Sequence, residues 1–335
     1  MGNEHYIIYG SEFSPFSVKV RSYFRYKNIP HEWRPRTKEN IEDFQKHAKL
    51  PLVPLVICPN GDVLQDSTPI LEKMEQLFPE NSINPVSQEL QFLSQMIEEY
   101  ADEWGNKPMF HYRWWREADQ IEVSEGLAST IAPNASPDEQ SLFAEQLRTR
   151  MVPRLSFVGS NEQNKETIER SLDDLLHLLE KHLTKRRFIF GGKPSLADFG
   201  LFGQLYGCTQ QPTTRAILKE YPEILVWIEQ MLRPESNGEW EEWGTLELTL
   251  LPILTNQIAE LYFPWALENA HALKQEKAEF TVCLKGRDFK QDTMKYSARS
   301  LNVLKQKFTA VQERGALEEI LLKAKCLQPL VSESW

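Results

Sequence analysis

The chain has 335 residues, of which 41% are hydrophobic and 26% are charged, and its formal net charge at pH 7 is −10. This length and composition predict a globular protein of two or three domains with sizeable apolar cores. The acidic balance excludes general nucleic-acid binding, because such binding requires basic surface that neutralises phosphates.

Four widely spaced cysteines indicate a reduced protein. They lack the Cys-x-x-Cys spacing of a zinc or redox site, and disulfide frameworks are typical of much smaller secreted chains. The N-terminus lacks the basic region and apolar run of a secretory signal, and no apolar stretch of about 18 residues is present. We therefore expect a cytoplasmic protein with no membrane partner. The cysteines are Cys58, Cys208, Cys283 and Cys326.

Residues 6–21 are predicted to form a strand, a loop and the start of a helix. The strand covers residues 6–9, the loop residues 10–13, and Ser14-Pro15 begins the helix. Serine caps free backbone N–H groups, and proline at the first helical position gives up an N–H that has no intrahelical partner. Because free N–H groups and the helix dipole favour negative charge, this stretch is a candidate anion site.

Basic residues are concentrated around the same stretch. Residues 11–49 contain nine Lys or Arg against five Asp or Glu, a local excess of four positive charges. Such an excess suits a small anionic ligand. It is equally typical of a solvated face whose charge is balanced by another part of the chain.

The next elements are predicted from periodicity. Apolar residues at helical spacing indicate a helix over 14–27, a short strand follows at 31–34, and a polar helix is expected at 38–48. A strand–helix–strand order implies parallel pairing of the two strands through a crossover.

A hairpin is predicted over residues 50–65, around a Pro-Asn-Gly-Asp turn. Proline cannot donate to a strand ladder, so a cis Val53–Pro54 bond fits the mouth of this hairpin. Asp66 or Ser67 is expected to cap the helix that follows at 70–78.

Beyond a short polar linker at 81–85, the pattern is mainly helical. A Gly-Gly turn precedes Ser195-x-x-Asp198, a capping box that we interpret as a folding element. The aromatic run at 109–115 is expected to pack in a core, with a hydrophobic acceptor site as the alternative. The predicted helices are 87–104, 137–150, 164–183 and 220–231.

Residues 234–335 begin with a linker-like break and contain no recognisable motif. A small hairpin is predicted at 279–294, and helices at 300–308 and 317–324. We expect this segment to pack on the helical part or to line a substrate cleft.

In its element order, the first part of the chain resembles the thioredoxin-like domain of the glutathione transferases. The box at 195–198 is similar to a folding element of that family's helical domain. The resemblance implies an α/β thioredoxin-like domain over 4–80, an all-α glutathione-transferase-type domain over 86–233, and a mostly helical C-terminal extension over 234–335. The local motifs that carry it are Ser14-Pro15-Phe16 with Lys19-Val20-Arg21 behind it, Val53-Pro54, and Asp66-Ser67.

The resemblance implies glutathione as co-substrate and a hydroxyl that activates its thiol. Ser14 would donate a hydrogen bond to the sulfur, because the thiolate is the nucleophile; a plain N-cap is the alternative role. Ser11 is a second candidate, since some classes place the serine earlier in the loop, and Tyr9 is a third. A serine before Pro15, rather than a cysteine, disfavours disulfide exchange through an enzyme thiol.

The same resemblance implies a set of glutathione-binding residues. Val53 would offer its backbone N–H and C=O to the cysteinyl part of glutathione, with Pro54 holding that geometry. At the γ-glutamyl end, Ser67 would bind the carboxylate and Asp66 the ammonium. Most relatives carry Glu or Gln in place of Asp66, and many carry Lys or Gln in place of Leu52.

Two functions of different classes follow. The first is a glutathione S-transferase-like enzyme that activates the glutathione thiol for attack on a hydrophobic electrophile, and the resemblance implies a homodimer. The second is a non-catalytic interaction or assembly protein, because a fold is reused for many purposes and function resides in the site. The histidines show no metal-ligand spacing, so no metal is expected.

Overall fold

The computed structural model describes residues 5–332, so residue 4, where the predicted first domain begins, and residues 333–335 lie outside it. The first elements are β1 (Tyr6–Gly10), α1 (Pro15–Tyr26), β2 (His31–Pro35), α2 (Ile41–His47), β3 (Leu55–Ile57), β4 (Val63–Gln65) and α3 (Ser67–Leu77). The four strands form one sheet in the order β2-β1-β3-β4. Strands β1 and β2 are parallel, and the other pairs are antiparallel. The predicted order of strands and helices is confirmed.

Helices dominate the middle of the chain, as predicted. Two of them, α6 and α10, are not predicted by the sequence. Val123 is the only large apolar residue among the buried residues of α6, which otherwise are Asp119, Ser124 and Ala128, so apolar periodicity is weak there. The helices are α4 (Gln88–Tyr100), α5 (Asn106–Trp115), α6 (Glu117–Ile131), α7 (Pro137–Met151), α8 (Lys165–Leu183), α9 (Leu196–Thr209), α10 (Pro212–Leu218) and α11 (Pro222–Leu232). A π-helical turn, Ala101–Gly105, joins α4 to α5, and a 3₁₀ segment, Val152–Val158, follows α7.

The last hundred residues form further helices and the predicted hairpin. They comprise α12 (Trp243–Ile253), a π-helical segment (Leu254–Tyr262), α13 (Phe263–Lys274), β5 (Glu279–Leu284), β6 (Arg287–Asp292), α14 (Lys295–Ala310), α15 (Gly315–Lys323) and α16 (Leu327–Val331). Helix α14 begins five residues earlier than predicted and packs against α4, where the rings of Phe92 and Phe308 lie 5.5 Å apart. Across residues 5–332, no helix has the length and apolar character needed to cross a membrane.

Asp198 lies in the core at the start of α9. Its carboxylate accepts hydrogen bonds from the Ser195 N–H and hydroxyl, from the Ile189 N–H at 2.9 Å and from the Trp227 indole at 3.1 Å. Burial raises the pKa of Asp198 to about 6, and these donors oppose that rise. A carboxylate with all its acceptor positions used internally fits the predicted role as a folding element.

A stripe of glycines on α9 brings α1 close to the helical part of the chain. A Cβ atom on Gly203 would lie 2.5 Å from the carbonyl oxygen of Pro15, and one on Gly207 would lie 2.8 Å from Met109. Side chains at these positions would push the helices apart. The start of α1, which carries Ser14, is therefore fixed by backbone contact with α9.

We predict that Gly203→Ala destabilises the protein by about 1–3 kcal/mol, because the added methyl group meets a backbone atom that cannot turn away. Urea-induced unfolding measures the change. Gly244→Ala is the matched control, since a Cβ there meets nothing within 4 Å and alanine favours the helix. Equal stability of the two variants would contradict the account of this contact.

Candidate active site

Ser14 lies where the β1–α1 loop meets the helix. Its side-chain oxygen accepts a hydrogen bond from the Ser17 N–H at 3.2 Å, so the predicted capping role is present. The residue is half-buried, and none of residues 5–332 accepts a bond from its hydroxyl. The hydroxyl proton thus remains available to a ligand at the helix N-terminus.

The loop before Ser14 is held from both sides. The Ser11 hydroxyl oxygen accepts from the Phe13 N–H at 3.2 Å, and the Ser11 carbonyl accepts from the Ser14 N–H at 3.0 Å. The buried guanidinium of Arg113 donates to the Phe13 carbonyl at 2.6 Å. A Cβ on Gly126 would lie 2.6 Å from the Phe13 ring, so helix α6 touches the loop closely. The loop is therefore rigid and presents Ser14 in one position.

Tyr9 is located on the other side of the sheet. It is fully buried beside Phe44 on α2, and its hydroxyl donates to Asp43 and accepts from Arg34 at 3.4 Å. Burial and the bond to Asp43 raise the pKa of Tyr9. Tyr9 packs in a separate cluster with Phe44, and its hydroxyl proton is already used in the bond to Asp43. It is therefore not placed to donate to a thiol at the Ser14 loop.

The segment before β3 leaves a peptide edge open. The Val53–Pro54 bond is cis, as expected from the sequence. Within the described residues, the backbone N–H and C=O of Val53 make no hydrogen bond. The neighbouring Leu52 is 62% exposed, and its carbonyl accepts from the Gln65 side chain at 2.9 Å. Gln65 holds this segment in place, a role that no pattern in the sequence signals.

Asp66 and Ser67 form the corner between β4 and α3. Asp66 has φ 78° and ψ 130°, a conformation that is costly for a residue with a side chain and is typical of functional sites. Asp66 occupies the N-cap position of α3, one of the two that the sequence predicts, but its side chain makes no capping bond and accepts from the Tyr296 hydroxyl at 2.7 Å. Ser67 is buried, and its hydroxyl oxygen accepts from the Lys19 ammonium at 3.2 Å.

Lys19 is fully buried beneath this corner. Its ammonium donates to the hydroxyls of Ser67 and Thr68 at 3.2 Å each, to Asp102 at 2.7 Å and to Glu98. Burial by itself would lower the pKa of Lys19, but the paired carboxylates of Asp102 and Glu98 raise it above its usual value. The sequence places Lys19 on a helix but contains no signal that it is buried.

Other basic residues of the 11–49 stretch are also paired with carboxylates. Arg21 pairs with Glu12, Lys27 with Glu75 at 2.8 Å, and Arg34 with Glu32. The Arg21–Glu12 and Arg34–Glu32 pairs lie within the stretch and leave its excess unchanged, whereas Glu75, Glu98 and Asp102 come from other elements and offset most of it. The charge is therefore balanced by other parts of the chain, but the Lys19 and Lys27 side chains are buried and do not form a solvated face.

The aromatic run on α5 packs in the core. Trp114 is buried with Val123 and Leu155, and the partly buried Phe110 and Trp115 pack against that cluster. Phe13 from the β1–α1 loop packs against the same cluster. The run therefore supports the loop that presents Ser14.

A cluster of carboxylates lies beside the same corner, on α4 and its π-helical turn. Burial, followed by repulsion from Glu103, raises the pKa of Glu99 to about 8. Burial also raises the pKa values of Asp102 and Glu103 to about 7 each. Glu99 accepts from the Tyr262 hydroxyl at 2.9 Å. Within residues 5–332, no group of His, Cys, Asp or Glu is arranged to hold a metal ion.

Comparison with known proteins relates both parts of this architecture to one family. The family model of the glutathione S-transferase N-terminal domain matches residues 8–82, and that of the C-terminal domain matches residues 159–230. The two domains therefore occur in one chain in the expected order, and the resemblance drawn from the motifs is confirmed. Neither match includes residues 234–335.

Individual relatives are distant. Isoprene-epoxide–glutathione S-transferase of Rhodococcus sp. (strain AD45) is 23% identical over 207 residues, which cover 60% of this chain and 82% of that protein. The structure of glutathione transferase GSTFuA3 from Phanerochaete chrysosporium aligns with a TM-score of 0.50 and 16% identity, over 70% of this chain and 99% of that one. The structural likeness shows a shared fold.

We predict that the stability of Glu99→Gln relative to the wild type increases from about pH 5 to about pH 8 and is constant above that. In the folded protein Glu99 keeps its proton up to about pH 8, because its pKa is raised there. In the unfolded chain Glu99 loses this proton near pH 4.5, the ordinary pKa of a glutamate. The wild type therefore loses stability as the pH rises through this window, and glutamine does not titrate.

Urea unfolding at several pH values measures this difference. Glu103→Gln removes the repulsion that helps to raise the pKa of Glu99, so in that background the effect of Glu99→Gln should level off at a lower pH. A pH-independent difference for Glu99→Gln would show that this carboxylate titrates alike in the folded and unfolded chains.

Proposed function

We propose that this chain, a member of the glutathione S-transferase family, is a glutathione transferase that binds glutathione along the edge formed by Ser14, Val53 and Ser67. The observation that carries the proposal is the free hydroxyl proton of Ser14 at the start of α1, in a loop that Arg113 holds rigid. The sulfur of the co-substrate would lie beside this hydroxyl.

The chemistry required of Ser14 is stabilisation of a thiolate. A thiol with a pKa of about 8.5 is only a few per cent ionised at pH 7. A hydroxyl that donates to the sulfur favours the charged form, and the positive end of α1 acts in the same direction. The thiol proton would leave to solvent, and the sulfur would attack the electrophile.

The remaining contacts fit the rest of the peptide. The unpaired N–H and C=O of Val53 can each form a hydrogen bond with an extended peptide. The cysteinyl unit of glutathione would supply the matching C=O and N–H. The Ser67 hydroxyl accepts from Lys19 but retains its own proton for a ligand carboxylate. Asp66 and Leu52 complete this edge as proposed binding residues.

The acceptor is proposed to be a hydrophobic electrophile such as an epoxide. The name of the relative from Rhodococcus supports this class. Attack by the thiolate on one ring carbon would form a C–S bond and break a C–O bond, and the released oxygen would take up a proton. A homodimer and a cytoplasmic location are further parts of the proposal, supported by the family resemblance; sedimentation of the purified protein tests the first.

We predict that Ser14→Ala lowers kcat/KM for conjugation by about 100-fold, the effect of losing one donor to an anion in an active site. Steady-state kinetics with glutathione and an epoxide measure it. Ser136→Ala is the matched control, because Ser136 also caps a helix that begins with proline, α7, and is not one of the proposed site residues. An unchanged rate in Ser14→Ala, together with a loss in Ser11→Ala, would transfer the role to Ser11.

A second function, non-catalytic interaction, is favoured by one specific observation. Both residues proposed for the γ-glutamyl end are already bonded within the protein, Ser67 to Lys19 and Asp66 to Tyr296. A panel of electrophiles with glutathione separates the two functions. Lack of turnover with every electrophile, together with stoichiometric capture of a partner protein, would support the second.

A further inference from the structure

Helix α14 brings a tyrosine to the glutathione edge from outside both family domains. Tyr296 donates to Asp66 at 2.7 Å, although 230 residues separate the two along the chain. The matched family domains end at residues 82 and 230, so the tyrosine belongs to the added C-terminal segment. This contact links that segment to the corner where a ligand's amino end would lie.

The backbone at the start of α14, from which the exposed Tyr296 side chain extends, is held in place. The buried Asn269 on α13 donates to the Met294 carbonyl at 2.9 Å and accepts from the Met294 N–H at 2.7 Å, so it holds the residue from which α14 starts. Further along α14, Lys307 pairs with Glu72 on α3 at 2.6 Å. Among the described residues, Tyr296 and Lys307 attach α14 to the N-terminal domain, and of these two Tyr296 contacts the corner.

The Tyr296 hydroxyl lies among carboxyl groups. Asp66 accepts its bond, and Glu103 and Asp102 lie close enough for their charges to act on the phenol. Lys19 is already shared between Glu98 and Asp102, so it does not neutralise Asp66. The corner therefore suits a cationic group of a ligand.

We propose that Tyr296 is a positioning residue for the amino end of the thiol co-substrate. By donating to one oxygen of Asp66, it orients the carboxylate so that the other oxygen faces a ligand ammonium. The α-carboxylate of the same ligand would lie at Ser67, the first residue of α3. This inference rests on the proposed glutathione site, and it adds a residue from the C-terminal segment to that site.

The geometry explains why a tyrosine is useful here. Asp66 is exposed, so without a partner its carboxylate would sample several rotamers and would lose that freedom when a ligand binds. A hydrogen bond that fixes the carboxylate in advance reduces the cost of binding. It acts equally in the ground state and the transition state, so the Michaelis constant should respond and the turnover number should not.

The test is steady-state kinetics and calorimetric titration with glutathione. Tyr296→Phe should raise both KM and Kd for glutathione by about three- to tenfold, the range for one hydrogen bond, with kcat unchanged within about twofold. In the Asp66→Ala background, Tyr296→Phe should have no further effect, because the tyrosine acts through Asp66. Lys307→Ala, which removes the other contact between α14 and the N-terminal domain, should leave KM unchanged.

The outcomes separate the two proposals. If the wild type binds glutathione and Tyr296→Phe binds it equally well, the role of Tyr296 is overturned and the transferase proposal stands. If Lys307→Ala reproduces the effect of Tyr296→Phe, or if the effect persists without Asp66, Tyr296 serves only to dock the segment. If the wild type gives no heat and no turnover, both proposals fall.

Discussion

The structure around the site depends on one buried charge. The Lys19 ammonium, on the helix that follows the Ser14 loop, contacts α3 through Ser67 and α4 with its π-helical turn through Glu98 and Asp102. Removal of one member of a buried ion pair typically costs about 3–5 kcal/mol, because the other charge stays buried without a partner. The sheet domain and the helical domain are therefore held in one relative position at the corner where the ligand is proposed to bind.

This arrangement places more carboxyl groups than basic groups beside the corner. Lys19 has one positive charge for two carboxylates, and Glu99 and Glu103 lie on the same helical stretch. The C-terminal segment supplies hydroxyl groups to this region, from Tyr262 to Glu99 and from Tyr296 to Asp66. The extension thus forms hydrogen bonds with Asp66, a residue of the proposed site, and with Glu99 beside it, and does more than cover the helical domain.

Local patterns predicted the N-terminal domain well. The capped start of α1, the cis Val53–Pro54 bond and the hairpin depend on residues that are neighbours in sequence, so their signals are readable there. Helix α6 was missed because most of its buried residues are small or polar. The burial of Lys19 and the reach of Tyr296 were also missed. Both depend on packing between elements far apart in the chain, which composition and periodicity do not encode.

The central claim is that Ser14 stabilises the thiolate of bound glutathione, and the pKa of that thiol tests it most directly. The ultraviolet absorbance of the thiolate, followed against pH in the complex with the wild-type protein, reports this pKa. The account predicts a midpoint at least about one unit below the ordinary value of 8.5, and a return toward that value in Ser14→Ala. A wild-type midpoint at or above 8.5 would contradict it.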